Sequence, residues 1–248
     1  MARVLLINPN TTATVTARLA PVLAGELGGE HELACATARF GADYISSEAA
    51  YCIAGHATLD ALASAGAGAR GVLIGCFGDP GVFALREVFD GPVIGLAEAA
   101  MREAAALGPF AIVTGGARWQ PMLERLAQSL GLDSALQRIE LVDRTGAQLA
   151  ADPAAALQVL GAACSAAARG TGVRSVILGG AALVGMAEAL QSRVELPLID
   201  NVRAGGRMMR RALADRVAPG PGADGAGYSG VSAELARLLS GQGSITSG

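Results

Sequence analysis

Two stretches of this chain are built on one plan, and the repetition restricts it to a fold with two similar halves. Residues 71–96 and residues 175–200 each run from an apolar strand into a small-residue loop, through a helical stretch, and into a short strand led by proline. Cys76 closes the first strand and Gly180 the second. Pro92 follows Cys76 by 16 residues, and Pro197 follows Gly180 by 17. A strand–loop–helix–strand unit of this length calls for a parallel sheet. Two copies imply facing loops and a cleft between them.

The duplication reaches one strand further back, because Val4–Ile7 opens the first half and Ala111–Thr114 the second, each ahead of a polar or glycine-containing loop. The expected strands are Val4–Ile7, Val72–Ile74, Val93–Leu96, Ala111–Thr114, Arg138–Val142, Ser175–Leu178 and Leu198–Ile199. Helical spacing links Val15, Leu19 and Val22, then Leu59, Leu62 and Ala63, then Met122, Leu126 and Leu130. Pro21 is expected to kink or end the first of these helices. Thr11 or Thr12 is expected to cap it, Asp152 with Pro153 to start the helix before Cys164, and Asn201 to cap the last long one. The Pro/Gly-rich run after Arg216 reads as an irregular connection, with a short helix over 232–239 and a frayed Gly/Ser tail beyond it.

The expected fold is therefore α/β, with two pseudo-symmetric doubly wound parallel-sheet halves and the active site in the cleft between them. The first half takes residues 1–97 plus 203–248 and the second 98–202, with crossings near 96–99 and 201–203 that would let the halves close. Ligands of open α/β sheets sit at the carboxyl ends of strands. That rule selects four loops: 8–12, 76–81, 114–118 and 180–185.

Composition limits the chemistry those loops can carry. All 19 basic residues are arginine, so no lysine can form a Schiff base or reach a nucleotide phosphate. With only His31 and His56, a histidine-rich or thiolate zinc site would have to be assembled from scattered residues, so no metal site is expected. A net charge of −3 without any basic run argues against nucleic acid and against a membrane surface. The apolar run at the start is too short for a signal peptide, and nothing approaches the roughly 20 apolar residues of a membrane span. Cys35, Cys52, Cys76 and Cys164 show no framework spacing, so thiols in a reducing cytoplasm are expected.

Ile7-Asn8-Pro9-Asn10-Thr11-Thr12, the stretch from Asp43 to Leu62 with its Ser46-Ser47-Glu48 and His56, and Gly75-Cys76-Phe77-Gly78-Asp79-Pro80-Gly81 together resemble the aspartate/glutamate/hydantoin racemase superfamily, hydantoin-racemase branch. The likeness covers about the first 215 residues. It implies a cofactor-independent isomerase, a homo-oligomer of two-half α/β subunits, and a small-molecule substrate such as a hydantoin-like ring. It also implies a cysteine at a strand end in each half. The first falls on Cys76; the second falls on Gly180, where this chain has no thiol.

Racemisation of this kind removes a proton from a carbon beside a carbonyl, stabilises the resulting anion with fixed donors, and returns a proton to the opposite face. Cys76 is the expected base, since a loop leading into a helix N-terminus offers amides and a dipole that favour a thiolate. Phe77 and Gly78 would offer backbone N–H groups. Asn8, Asn10, Thr11, Ser47, Asp79, Thr114, Gly115 and Ala181 complete the expected substrate-binding set. Opposite Cys76, another group or water supplies the second proton, or the reaction uses one face only.

Three readings stay open at this point: a racemase, a single-cysteine decarboxylase like the arylmalonate decarboxylases of the same superfamily, and a binding protein that has retired its chemistry. In those decarboxylases the retained thiol lies in the second half, the reverse of this chain. The remaining residues have plainer expected roles. Cys35, Cys52 and Cys164 read as packing, Trp119 as a packing anchor beside the third loop, His56 as the start or cap of a helix, and Asp79 as a helix cap ahead of Pro80. Ser46, Ser47 and Glu48 read as part of a long loop. Asp200 is the nearest ionisable stand-in for the missing acid.

Overall fold

The computed structural model describes residues 1–169, 172–215 and 220–242. The chain divides into two compact units, the first made of Met1–Gly75, Asp79–Gly95 and everything from Gly206 on, the second of Cys76–Gly78 with Leu96–Gly205. The first unit holds strands β1 (Ala2–Asn8), β2 (His31–Thr37), β3 (Ala69–Ile74) and β4 (Val93–Gly95) in one parallel sheet ordered β2-β1-β3-β4. The second holds β5 (Phe110–Gly115), β6 (Leu136–Val142), β7 (Ser175–Gly179) and β8 (Leu198–Asp200), all parallel and ordered β6-β5-β7-β8. The order is the same in both, as the internal duplication requires.

Strands that read as unbroken apolar runs are buried on both faces. Val4, Leu5, Leu6 and Ile7 of β1 are fully buried, and so are Ala111, Ile112 and Val113 of β5. Each such Val, Leu or Ile side chain contributes about 1.5–3 kcal/mol relative to leaving it in water. Helices α1 (Ala13–Glu26), α2 (Glu48–Ala65) and α3 (Val82–Val88) serve the first sheet. Helices α4 (Leu96–Leu107), α5 (Trp119–Ser129), α6 (Gly146–Ala151), α7 (Pro153–Ala168) and α8 (Met186–Leu190) belong to the second. Helix α9 (Asn201–Ala214) then carries the chain from the second unit into the first, where Met209 packs against Gly71 of β3. The connection from 220 to 231 is irregular, and α10 (Ala233–Leu239) closes the described chain. The tail expected to fray, and the start of the irregular connection, lie outside the described residues.

Strand β2 is the strand the sequence did not announce, and helices α4 and α6 went unannounced with it. His31–Thr37 is half-buried except at the exposed Glu32 and Cys35, lies at the sheet edge, and lacks the continuous apolar run of strands such as β1 and β7. Pro21 neither ends nor replaces a turn of α1, which runs on to Glu26. It lies on the exposed side while Thr16, Leu19 and Leu23 are buried, so packing holds the helix and the carbonyl it frees faces water. Thr12 occupies the N-cap position of α1 without bonding the helix; its hydroxyl donates to the Asp43 carbonyl instead. Asp152 caps α7 through Ala155 N–H, with Pro153 in the first turn as expected. Asn201 is not the cap of α9, because Asp200 accepts from the N–H groups of Val202 and Arg203.

Candidate functional site

The register fixes which residues correspond between the two sheets. Ile74 pairs with Gly95 and Leu178 with Asp200, so Cys76 and Gly180 each stand two residues beyond a matched pair. Gly81 and Gly185 each lie five residues further on, with φ of 85° and 82°, and each begins the next helix. Cys76 and Gly180 are therefore the same position in the two units. Their backbones differ, however. Gly180 has φ 140°, whereas Asp79 is the one non-glycine residue with positive φ among the described residues. A β-carbon on Gly180 would also meet Leu183 at 3.2 Å.

Cys76, 7% exposed, leads a tripeptide that packs with the second unit. The Phe77 ring lies on the α-carbon of Gly179 at the end of β7, where a β-carbon would come within 2.2 Å of it. Trp119 lies in the same way on Gly78, at 2.4 Å from such a β-carbon. The Gly78 N–H, expected to face developing charge, donates to the Cys76 carbonyl at 3.1 Å. Thr114, at the end of β5, is nearly buried, and its hydroxyl makes no hydrogen bond within the described residues. Gly115 is buried against the Arg144 carbonyl, and Ala181 begins a half-buried 3-10 turn over Ala181–Leu183.

In the first unit, the residues after β1 form a closed polar cluster. Asn8, fully buried, donates to the Asn10 side-chain oxygen, the Thr12 carbonyl and the Thr16 hydroxyl, so it shapes the loop from inside. Asn10 accepts from Asn8 and from Thr12 N–H, which leaves its own NH2 group unengaged within the described residues. Thr11 N–H donates to the Ala42 carbonyl, and its half-buried hydroxyl is likewise unengaged. Asp79 is fully buried with φ 55°, its carboxyl against the α-carbon of Gly95, while its carbonyl accepts from Val82 N–H. The cap position of α3 belongs to Gly81 and not to Asp79.

Other expected positions fall elsewhere. Ser47 caps α2 by accepting from Ala50 N–H, and Glu48 is that helix's first residue rather than part of a long loop. His56 lies inside α2, not at its start, with its ring edge-on to Phe40 at 4.9 Å. Asp200 is committed as a cap and also accepts from Gly185 N–H at 2.9 Å, so it braces the loop after β7. None of the four cysteines is in a disulfide. Cys164 sits in the core around α7, where burial pushes its thiol up to about 12. Cys35 and Cys52 are exposed, contrary to the packing expectation, although partial burial still raises the Cys35 thiol. Among the described residues no group of three His, Cys, Asp or Glu is placed to hold a metal ion, and no helix is long and apolar enough to cross a membrane.

The sequence signals missed Gly95, Gly179 and Leu183, which shape these loops by what they leave room for or fill. Glycine at a strand end carries no sequence mark of which ring or carboxyl will rest on it.

Known proteins share this sequence pattern and this fold. A hydantoin racemase of Rhizobium meliloti is 31% identical over 213 residues, 84% of this chain and 87% of that one. A hydantoin racemase of Paenarthrobacter aurescens is 35% identical over 143 residues; that match spans 57% of this chain and 61% of the relative, less than two thirds of its length. The structure of the allantoin racemase from Klebsiella pneumoniae superposes with a TM-score of 0.89 at 26% identity, covering 95% of this chain and 99% of that one. The sequence profile described as Asp/Glu/Hydantoin racemase matches residues 4–209. The chain belongs to the Asp/Glu/hydantoin racemase family.

Proposed function

We propose that this chain is an isomerase that racemises a small cyclic ureide, with the Cys76 thiolate as the base. Hydantoin and allantoin share a five-membered ring in which the stereogenic C–H stands beside a carbonyl, and the relatives that bear those names support a substrate of this class. The observation that carries the reading is the place of Cys76: it stands two residues past the end of β3 and heads a loop wedged between Gly179 and Trp119. The Thr114 hydroxyl, in the same unit and without a hydrogen bond within the described residues, supports a role as donor to an enolate oxygen. In the step proposed, the C–H bond breaks, its proton passes to Cys76 sulfur, and the electron pair moves onto the adjacent carbonyl.

Gly180 brings no thiol for the return step, and Asp200 is held by three backbone N–H groups. Water is thus the assigned donor to the second face. The test is incubation of one enantiomer of a 5-substituted hydantoin in deuterium oxide. Exchange at the stereogenic carbon together with loss of optical rotation is expected, and Cys76→Ala should abolish both. Carbon dioxide release from a malonate-type substrate without racemisation would replace this reading with a decarboxylase. Tight ligand binding that Cys76→Ala leaves unchanged, in a parent without turnover, would replace it with a binding protein.

A further inference from the structure

We propose that Trp119 is a positioning residue for Cys76: its indole holds Gly78 and, through it, the backbone that aims the sulfur. The inference rests on Cys76 being the base and adds a group that sets its geometry.

Trp119 is the first residue of α5 and is only 6% exposed. Three atoms along one edge of its six-membered ring face the α-carbon of Gly78; a β-carbon there would lie 2.4 Å from Cζ3, 3.0 Å from Cη2 and 3.5 Å from Cε3. One residue earlier the contact is reversed. Phe77 presents its ring to Gly179, with Cε1, Cδ1 and Cζ at 2.2, 2.6 and 2.6 Å from the equivalent point. Two rings and two glycines thus interlock on either side of one peptide, and the Gly78 N–H to Cys76 carbonyl bond ties the thiol residue to the locked pair. The fit leaves no room for an added methyl group at Gly78 or Gly179. Rings in such contact do not slide without opening a void, so the Cys76 backbone has one place to be.

A base displaced by about 1 Å can cost on the order of a hundredfold in rate while leaving substrate affinity nearly intact. Trp119→Ala should therefore lower kcat by about 10- to 100-fold with KM within about threefold, and Trp119→Phe, which keeps part of the ring, should recover part of the loss. Gly78→Ala should produce the same kcat defect in the parent, and in the Trp119→Ala background it should add only what the φ of 158° at Gly78 costs the new side chain.

Trp119 is also the only tryptophan in the chain, so indole emission reports on the surroundings of this one ring. In a Cys35→Ser/Cys52→Ser background, alkylating Cys76 with iodoacetamide should change Trp119 emission, and the same treatment of a protein that also carries Cys76→Ala should not. Emission unaffected by stoichiometric alkylation of Cys76 would overturn the proposal. So would a Trp119→Ala protein that melts lower yet keeps the parent kcat. Should Trp119→Ala fail to fold, Trp119→Phe and the emission experiment decide the matter. If Cys76→Ala stays active, the assignment of the base fails, whereas the emission response still tests whether Trp119 holds the loop.

Discussion

The carboxyl group of Asp79 rests on the α-carbon of Gly95, so closely that a β-carbon there would lie 2.0 Å from Asp79 Cγ. The corresponding pair in the second unit is Leu183 and Asp200, with the acid and the uncharged residue exchanged. Each unit keeps one buried carboxylate beside the loop after its third strand. In one the loop supplies it; in the other the end of the fourth strand does.

Gly95→Ala should consequently destabilise the protein by about 1–3 kcal/mol through overpacking, read as a lower urea midpoint at unchanged slope. The double variant Asp79→Leu/Gly95→Asp, which copies the second unit's arrangement, should lose less than the sum of its two single changes. Strict additivity would show that the two sites do not share one space.

Asp60 gives the fold an acid-sensitive tie. Burial pushes its carboxyl up, but hydrogen bonds from Arg39 and Ser232, the Arg39 charge and a pull from His56 outweigh that and hold it below the ordinary carboxylate range. Arg39 grips both oxygens, at 2.9 and 2.7 Å, and Ser232, the cap of α10, donates at 2.6 Å. A carboxyl lowered on folding adds stability that is complete above its unfolded value, near 4, and is lost as pH falls through the folded one. Asp60→Asn should melt below the parent at pH 6–7, and the gap should narrow below about pH 4. Half of the Arg39 side chain is exposed, so salt should weaken part of the effect. A gap that widens in acid would mean the tie has the opposite sign.

The thiols divide by surroundings. At pH 8 Cys52 and, more slowly, Cys35 should take up iodoacetamide in the folded protein, because burial raises the Cys35 thiol and thins its thiolate. Cys164, pushed to about 12 inside the core, should react only after denaturation. Mass spectrometry of peptides from native and urea-treated samples reads the order directly. Native-state modification of Cys164 would mean the core around α7 opens.

Most of the architecture was legible because it rests on continuous apolar runs. Val4–Ile7, Val72–Ile74 and Ser175–Leu178 appear as strands with ends extended by a residue or a few, and the repeated plan appears as two sheets of one order. Strand β2 was not legible, since an edge strand of small and polar residues is held by its pairing with β1 and has no pattern of its own. At the loops, residue type singled out Cys76 and the glycines around it, but not which partner each glycine admits. Ser47, Asp79 and Asp200 show why: a polar residue near a strand end can serve a helix, a loop or a ligand, and only the backbone N–H groups within reach decide among them.

Gly180 is the position where sequence and backbone together test the proposed reaction. A thiol placed there by Gly180→Cys would meet two obstacles. The φ of 140° is a glycine conformation, and the new β-carbon would press on Leu183 at 3.2 Å. Strained backbone of this kind costs about 1–3 kcal/mol, which for a chain of this size lowers Tm by roughly 2–12 °C. Because Cys76 has an ordinary φ, a cysteine at 180 would not mirror it, and racemisation should rise no more than about twofold, a change below 1 kcal/mol. Trimming the neighbour in Gly180→Cys/Leu183→Ala should relieve the contact but not the backbone strain, so Tm should not recover. Calorimetry and polarimetry on both variants give the answer. A Gly180→Cys protein that melts with the parent and turns over many times faster would mean that this loop had kept the shape of a two-thiol site.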